Sequence, residues 1–178
     1  MPSISYSGSP FIETIGQSMA PEAPTKSGGA VVTWSVSPSL PNGLVLSPTT
    51  GVITGTPTVV SSTATYTISA TNSGGTGTTT VEITVNDIPP TNIAFASSTL
   101  SLTKGEPMTP VAPTSSGGVV ITWSVSPSLP AGLTIDAATG EISGTPTSVT
   151  PNAVYTVTAT NSGAVSYTHL TLPTKQAV

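Results

Sequence analysis

The segment Leu40-Pro-Asn-Gly-Leu-Val-Leu-Ser-Pro-Thr-Thr-Gly-Val-Ile-Thr-Gly-Thr-Pro-Thr58 returns 89 residues later as Leu129-Pro-Ala-Gly-Leu-Thr-Ile-Asp-Ala-Ala-Thr-Gly-Glu-Ile-Ser-Gly-Thr-Pro-Thr147. From Val31 to Gly74, 28 of 44 positions carry the residue found one period further on, without a gap. A match that dense commits both halves to one fold. The 178 residues then divide into two small domains, each able to bury one modest core.

The repeated segment reads as a tight hairpin. Leu44 and Leu46 alternate with polar residues, Thr50-Gly51 offers a turn position that accepts positive φ, and Val52-Ile53 begin the return strand. Pro57, with no N–H to give a ladder, is expected to end the hairpin within Gly55–Thr58. Upstream, Ile4-Ser-Tyr6 and Phe11-Ile12 read as one edge strand broken by Gly8 and Pro10. Residues 16–29, rich in Pro, Ser and Gly, read as a long connection with room for one short strand. Val32, Trp34 and Val36 are expected on one face of a strand over 31–36. Ala64, Tyr66, Ile68 and Ala70 alternate with Thr and Ser over 63–72, and Val81, Ile83 and Val85 face inward in a closing strand over 79–85. No window has helical periodicity. Six or seven short strands per repeat make an all-β sandwich, with Trp34, Tyr66, Ile68, Ala70 and their counterparts Trp123, Tyr155, Val157, Ala159 lining two cores.

The ordered set Trp34, Leu40-Pro41, Gly43-Leu44, Thr50-Gly51, Ile53, Gly55-Thr56-Pro57-Thr58, Tyr66 and Ala70-Thr71-Asn72-Ser73-Gly74, repeated from Trp123 to Gly163, resembles the bacterial immunoglobulin-like repeat of large surface proteins, a relative of the cadherin-like domains. The resemblance covers nearly the whole chain. It implies two tandem immunoglobulin-like, cadherin-like β-sandwiches from an extracellular or cell-surface protein, and no particular ligand. The expected domains are residues 1–87 and 88–164. The linker Asn86-Asp-Ile-Pro-Pro-Thr-Asn92 is stiffened by its two prolines.

The correspondence stops at Ala164. Val165-Ser-Tyr-Thr-His-Leu-Thr-Leu-Pro-Thr174 resembles no domain and is similar to the translation of a transposase-type sequencing-library adapter: GTC TCT TAT ACA CAT CTG ACG CTG CCG ACG would spell it. Residues 165–178 are therefore expected to be an artefact tail, leaving the second domain without its native last strand. Even so, Leu170 and Leu172 fall at the inward positions of Val81 and Ile83, so the tail satisfies the period-2 pattern of a closing strand, imperfectly, because Thr174 replaces Val85 and Pro173 lacks an N–H.

Charged residues make up 6% of the chain, against roughly 25% in an average soluble protein. Three Lys/Arg against seven Asp/Glu leave no basic patch for phosphates, which argues against nucleic acid and anionic lipid as partners. No apolar run approaches the ~20 residues a membrane helix needs. There is no cysteine, hence no disulfide framework. Met1-Pro-Ser-Ile shows no secretion signal, and the chain reads as a piece of a longer protein.

Catalysis finds little support. His169 is the lone histidine, lies in the tail, and has no His or Cys partner for a metal or a triad. Glu13, Glu22, Glu82, Asp87, Glu106, Asp136 and Glu141 are scattered. Asp136 and Glu141 flank the second hairpin turn but stand where the first copy has Ser47 and Val52, which fits a solvated turn better than a carboxylate pair. Asn86-Asp87 resembles, in shortened form, the Asn-Asp linker signature with which cadherin-like domains hold calcium. Calcium wants six to eight oxygens, and only Asp87 offers a carboxylate near the linker, so an ordinary polar linker is the competing reading. Trp34 and Trp123 read as core, with sugar stacking as the alternative; Tyr6, Phe11 and Phe95 are the other aromatics near an edge. The expected role is a non-enzymatic spacer and adhesion module whose partners are neighbouring repeats of its parent chain and a surface glycan or protein. The alternatives are calcium-dependent adhesion through the linker and a carbohydrate-binding accessory of a secreted hydrolase.

Overall fold

Small polar and β-branched residues in strict alternation offer no helical stripe to bury, and they build sheets instead. The computed structural model of the chain describes residues 1–176 and contains only strands and connections among them. Two compact units form, Met1–Asp87 and a second from Ile88 onward.

The first unit has nine strands: β1 (Ser3–Ser5), β2 (Phe11–Thr14), β3 (Met19–Glu22), β4 (Thr25–Ser27), β5 (Thr33–Ser37), β6 (Leu44–Leu46), β7 (Ile53–Gly55), β8 (Ser61–Asn72) and β9 (Gly75–Asn86). They form a four-stranded sheet in the order β2-β9-β8-β5, a three-stranded sheet β3-β7-β6, and a β1-β4 pair. Only β2 and β9 run parallel. The expected single edge strand is thus two strands: past Gly8 and Pro10 the chain leaves β4 and joins β9. Residues 16–29 hold two strands, β3 and β4, one more than expected, because Met19 and Glu22 pair with Gly55 and Ile53 of the hairpin.

The core contains Tyr6, Phe11, Trp34, Leu44, Ile53, Tyr66, Ile68, Ala70, Val81 and Ile83, all buried. Ala64 is only partly buried against it. Val32 departs from its expected inward place and is 68% exposed. Regular alternation starts only at Thr33. Ahead of it Val31 packs on the core, while the Val32 N–H donates to Thr71 O at 2.8 Å.

The second unit has β10 (Pro90–Ala94), β11 (Leu102–Thr103), β12 (Thr114–Gly117), β13 (Thr122–Ser126), β14 (Leu133–Ile135), β15 (Ile142–Gly144), β16 (Val154–Thr160), β17 (Val165–Thr171) and β18 (Thr174–Lys175). β13-β16-β17 form one sheet, with β14-β15, β10-β12 and the parallel pair β11-β18 beside it. Trp123, Tyr155, Val157, Ala159, Leu170 and Leu172 fill its core. A strand therefore closes this unit at residues 165–171, and Leu170 and Leu172 are fully buried in the places of Val81 and Ile83. Past Thr171 the strand breaks at Pro173, and Thr174 is buried with its Oγ1 unpartnered, where Val85 sits in the first unit. Positions 177–178 of the expected tail lie outside the described residues.

Candidate functional site

The repeated motif is a turn built against the core tryptophan. Leu44, Val45 and Leu46 pair with Gly55, Thr54 and Ile53, and the Gly51 N–H closes the turn onto Ser47 O at 3.0 Å. Gly51 has φ +75° and Gly140 φ +74°, the left-handed conformation expected of them. The structure adds a second reason for glycine. A Cβ on Gly51 would stand 2.6 Å from the Trp34 ring, and one on Gly140 2.6 Å from that of Trp123. The turn lies flat on the indole, a contact between residues 17 apart that a local reading of Thr-Gly cannot reveal. The hairpin ladder ends at Gly55, within the expected segment, though Thr56 and Thr58 on either side of Pro57 still donate to Gly43 O at 3.0 Å and Asn42 O at 2.9 Å. The missing N–H thus falls where no bond is made.

Trp34 and Trp123 are 4% and 5% exposed, so both are core and neither is a sugar platform. Tyr6 and Phe11 are also buried. The Tyr6 hydroxyl donates to Gly51 O, and burial pushes its pKa up to about 12. Phe95 occupies the equivalent place in the second unit and is partly buried against that core.

Asp136 and Glu141 flank the second turn as expected, and Asp136 works as a cap. Its Oδ1 accepts the N–H groups of Ala138 and Thr139, each at 2.8 Å. Hydrogen bonds from the Thr139 and Ala138 backbone, then from the Thr139 side chain, hold its carboxyl below the usual range. Ser47 does the same in the first unit, its Oγ accepting from Thr50 N–H at 3.1 Å. Glu13 has its pKa raised, by burial first and then by neighbouring Glu22. Leu102 and Val111 replace that pair in the second copy.

Asn86 ends β9, and its carbonyl accepts the Ile15 N–H at 2.9 Å. Asp87 follows, half-buried. Among the described residues no three His, Cys, Asp or Glu side chains gather where they could hold a metal ion. His169 lies on β17 opposite Thr156.

The outer face of the large sheet in the first unit is a field of hydroxyls. Thr67 faces Thr80, Ser69 faces Thr78 and Thr71 faces Thr76 across β8 and β9. Thr63–Thr84 and Thr71–Thr76 hydroxyl pairs sit at 2.8 Å. Such cross-strand pairs contribute a few tenths of a kcal/mol to about 1 kcal/mol each.

Both repeats match a family described as "Putative Ig domain", over residues 2–86 and 89–173. No curated protein matches the chain. Among solved structures the chain is similar to immunoglobulin domains 1–4 of Sidekick-1, at 15% identity and TM-score 0.56 over 97% of this chain and 49% of that one. Drosophila OTK extracellular domains 3–5 give 16% identity and TM-score 0.57 over 97% and 62%. The N-terminal eight Ig domains of the Down Syndrome Cell Adhesion Molecule give 15% and 0.57 over 100% and 25%. At these identities the likeness concerns the fold. With both repeats matched nearly end to end, the chain belongs to the "Putative Ig domain" family as two tandem immunoglobulin-like domains.

Proposed function

We propose that the chain is a non-enzymatic spacer and adhesion module of a larger bacterial protein at the cell surface, holding a neighbouring domain away from the cell. One observation carries this reading: the residues that make the repeat conspicuous all go into turns and core. Trp34, Ile53 and Tyr66 pack together in the core with Gly51 against the indole, and facing hydroxyls line much of the outer side of β8 and β9. No helix among the described residues is long and apolar enough to cross a membrane. We take residues 1–87 and 88–164 as the native repeats and residues 165–178 as foreign to the gene.

The test is a display experiment. A ligand-binding tip is anchored to cells directly, or through this chain, and a third strain displays the chain alone. Adhesion that needs the tip and grows when the chain lifts it supports spacing. Strong adhesion by the chain alone would move the function onto its own faces, and no gain over direct anchoring would remove the spacer role. Calcium-dependent adhesion, motivated by Asp87 at the boundary of the first unit, is tested on the same chain. A melting temperature unmoved by millimolar calcium or chelator supports the plain linker; a rise of several degrees that Asp87→Ala abolishes would install calcium instead.

A further inference from the structure

We propose that the corner formed by Gly28, Gly29 and Asn72 is a docking site for the backbone of a linker running into the repeat, and that it takes up the carbonyl of a residue joined ahead of Met1. The second unit holds this arrangement filled by its own linker residues. There Asn161, 7% exposed, donates through Nδ2 to Ile88 O at 2.7 Å and Val119 O at 3.2 Å. Its Oδ1 accepts from Gly163 and Ala164 N–H at 2.8 and 3.2 Å. The side chain thus ties the Asn-Ser-Gly turn to the incoming chain, with its amide fully used. Two glycines make room: a Cβ on Gly118 would stand 1.9 Å from Ile88 O, and one on Gly117 2.2 Å from Pro89 O.

The first unit carries the same residues, Gly28, Gly29 and Asn72. Pro2 and Pro90 are both fully buried. A Cβ on Gly28 would meet Met1 O at 2.4 Å, as one on Gly117 meets Pro89 O, so Met1 occupies the place of Pro89. The next carbonyl outward is the one Asn161 holds. In the first unit Asn72 Oδ1 still accepts Gly74 N–H at 2.8 Å, but Nδ2 reaches only Gly28 O, at 3.4 Å. Gly29 has turned to φ +98° while Gly118 has no positive φ. A Cβ on Gly29 would meet nothing within 4 Å but Asn72 Nδ2. In the second unit the corresponding place is taken by Ile88 O, and Gly29 differs from Gly118 in its positive φ. The occupant is a stiff, extended linker of the Ile88-Pro89 kind, whose proline offers no competing donor.

An acetyl group on Met1 is the smallest version of this occupant, because its carbonyl sits where that of a preceding residue would. The full chain is compared with a free Met1 amine, with acetylated Met1, and with Asn-Asp-Ile fused ahead of Met1. Acetylation and extension are expected to raise the melting temperature of the first unit by about 4–8 °C, the shift that one added buried hydrogen bond gives a domain of this size, and to leave the second unit unmoved. In the folded chain the Asn72 side-chain amide resonances should move and exchange more slowly with water. Unchanged Asn72 resonances would overturn the proposal. So would a thermal gain that persists undiminished in Asn72→Ala, which would assign it to the lost terminal charge; the resonance measurement stands even where that variant does not fold.

Discussion

In the first unit β8 and β9 run side by side for twelve residues each. In the second, β16 and β17 manage seven each. Both ends of the shortening have a chemical cause. Pro151 stands where Ser62 lies inside β8, and Pro173 where Thr84 lies inside β9, and neither can donate to a ladder. The turn changes too: Asn72 pairs with Gly75 at φ +122°, whereas the second hairpin starts its pairing one step further in, at Thr160 and Val165. What survives is the inward row, Val81 and Ile83 replaced by Leu170 and Leu172, all at 1% exposure or less. The two closing strands share this inward row; their length and finish depend on the residues around it.

The comparison is broken most forcefully at the tryptophans. Trp34→Ala and Trp123→Ala should each cost ~3–5 kcal/mol, an amount that threatens a domain this small. Each should melt its own unit and spare the other. Gly51→Val and Gly140→Val strike the same contact from the turn side, adding backbone strain to the 2.6 Å clash with the ring. Two calorimetric transitions, followed separately, measure this. Equal losses in both units mean that the shared motif does equal work in both, and a loss confined to one would show that the two cores are not equivalent.

The strands and core positions were legible in the sequence because a period of 2 is a local property. Tyr66, Ile68, Ala70 and their partners are buried as the alternation implies. The sequence concealed what depends on distant partners. Val32 fits the alternation and still points outward, since its place is set by a bond to Thr71 across the sheet. The Gly51–Trp34 contact and the Asn161–Ile88 bond join segments 17 and 73 residues apart, and only the assembled sandwich brings them together. The candidate sites were legible mainly as turns: the Asp136 carboxyl turned out to cap its own loop.

A smaller effect sharpens the comparison at the closing strand. Replacing residues 165–178 with Thr76–Val85 should stabilise the second unit, because Val in the place of Thr174 removes a buried hydroxyl without a partner, a defect costing about 1–3 kcal/mol. In the chain as it stands, the second unit is expected to melt first. If the exchange left its melting temperature unchanged, the tail would be a genuine strand and its reading as an adapter would fall.

Alkali separates the units at Tyr6 and Phe95. The folded-state pKa of Tyr6 is raised to about 12 from an ordinary value of about 10. The stability it contributes is therefore full below pH ~10 and lost as pH rises through about 12. Phe95 has nothing to titrate there. The first unit should lose melting temperature over that window relative to the second, and Tyr6→Phe should remove the difference while destabilising the first unit at neutral pH by about 0.5–1.5 kcal/mol.

The smallest effect is expected in acid and runs the other way. The Asp136 carboxyl titrates below its ordinary value because two backbone N–H groups bind its charged form. Its contribution is present above the unfolded pKa of about 4 and disappears as pH falls through the lower folded value. Ser47 holds the equivalent turn with a hydroxyl, which acid does not touch. Glu13, raised by burial and by Glu22, has the opposite sign: its contribution is full in acid and lost as pH rises through its folded value. Lowering the pH from about 5 to about 3 should therefore weaken the second unit while favouring the first. Asp136 lies at the surface, where salt screens such effects, so the gap should be modest and should concern the hairpin before the core. Asp136→Ser should abolish the acid sensitivity of the second turn, and Ser47→Asp should transfer it to the first. If both units responded to acid alike in the wild type and in the exchanged pair, the two turns would be held by their glycine and tryptophan contacts alone, and the caps would be incidental to both.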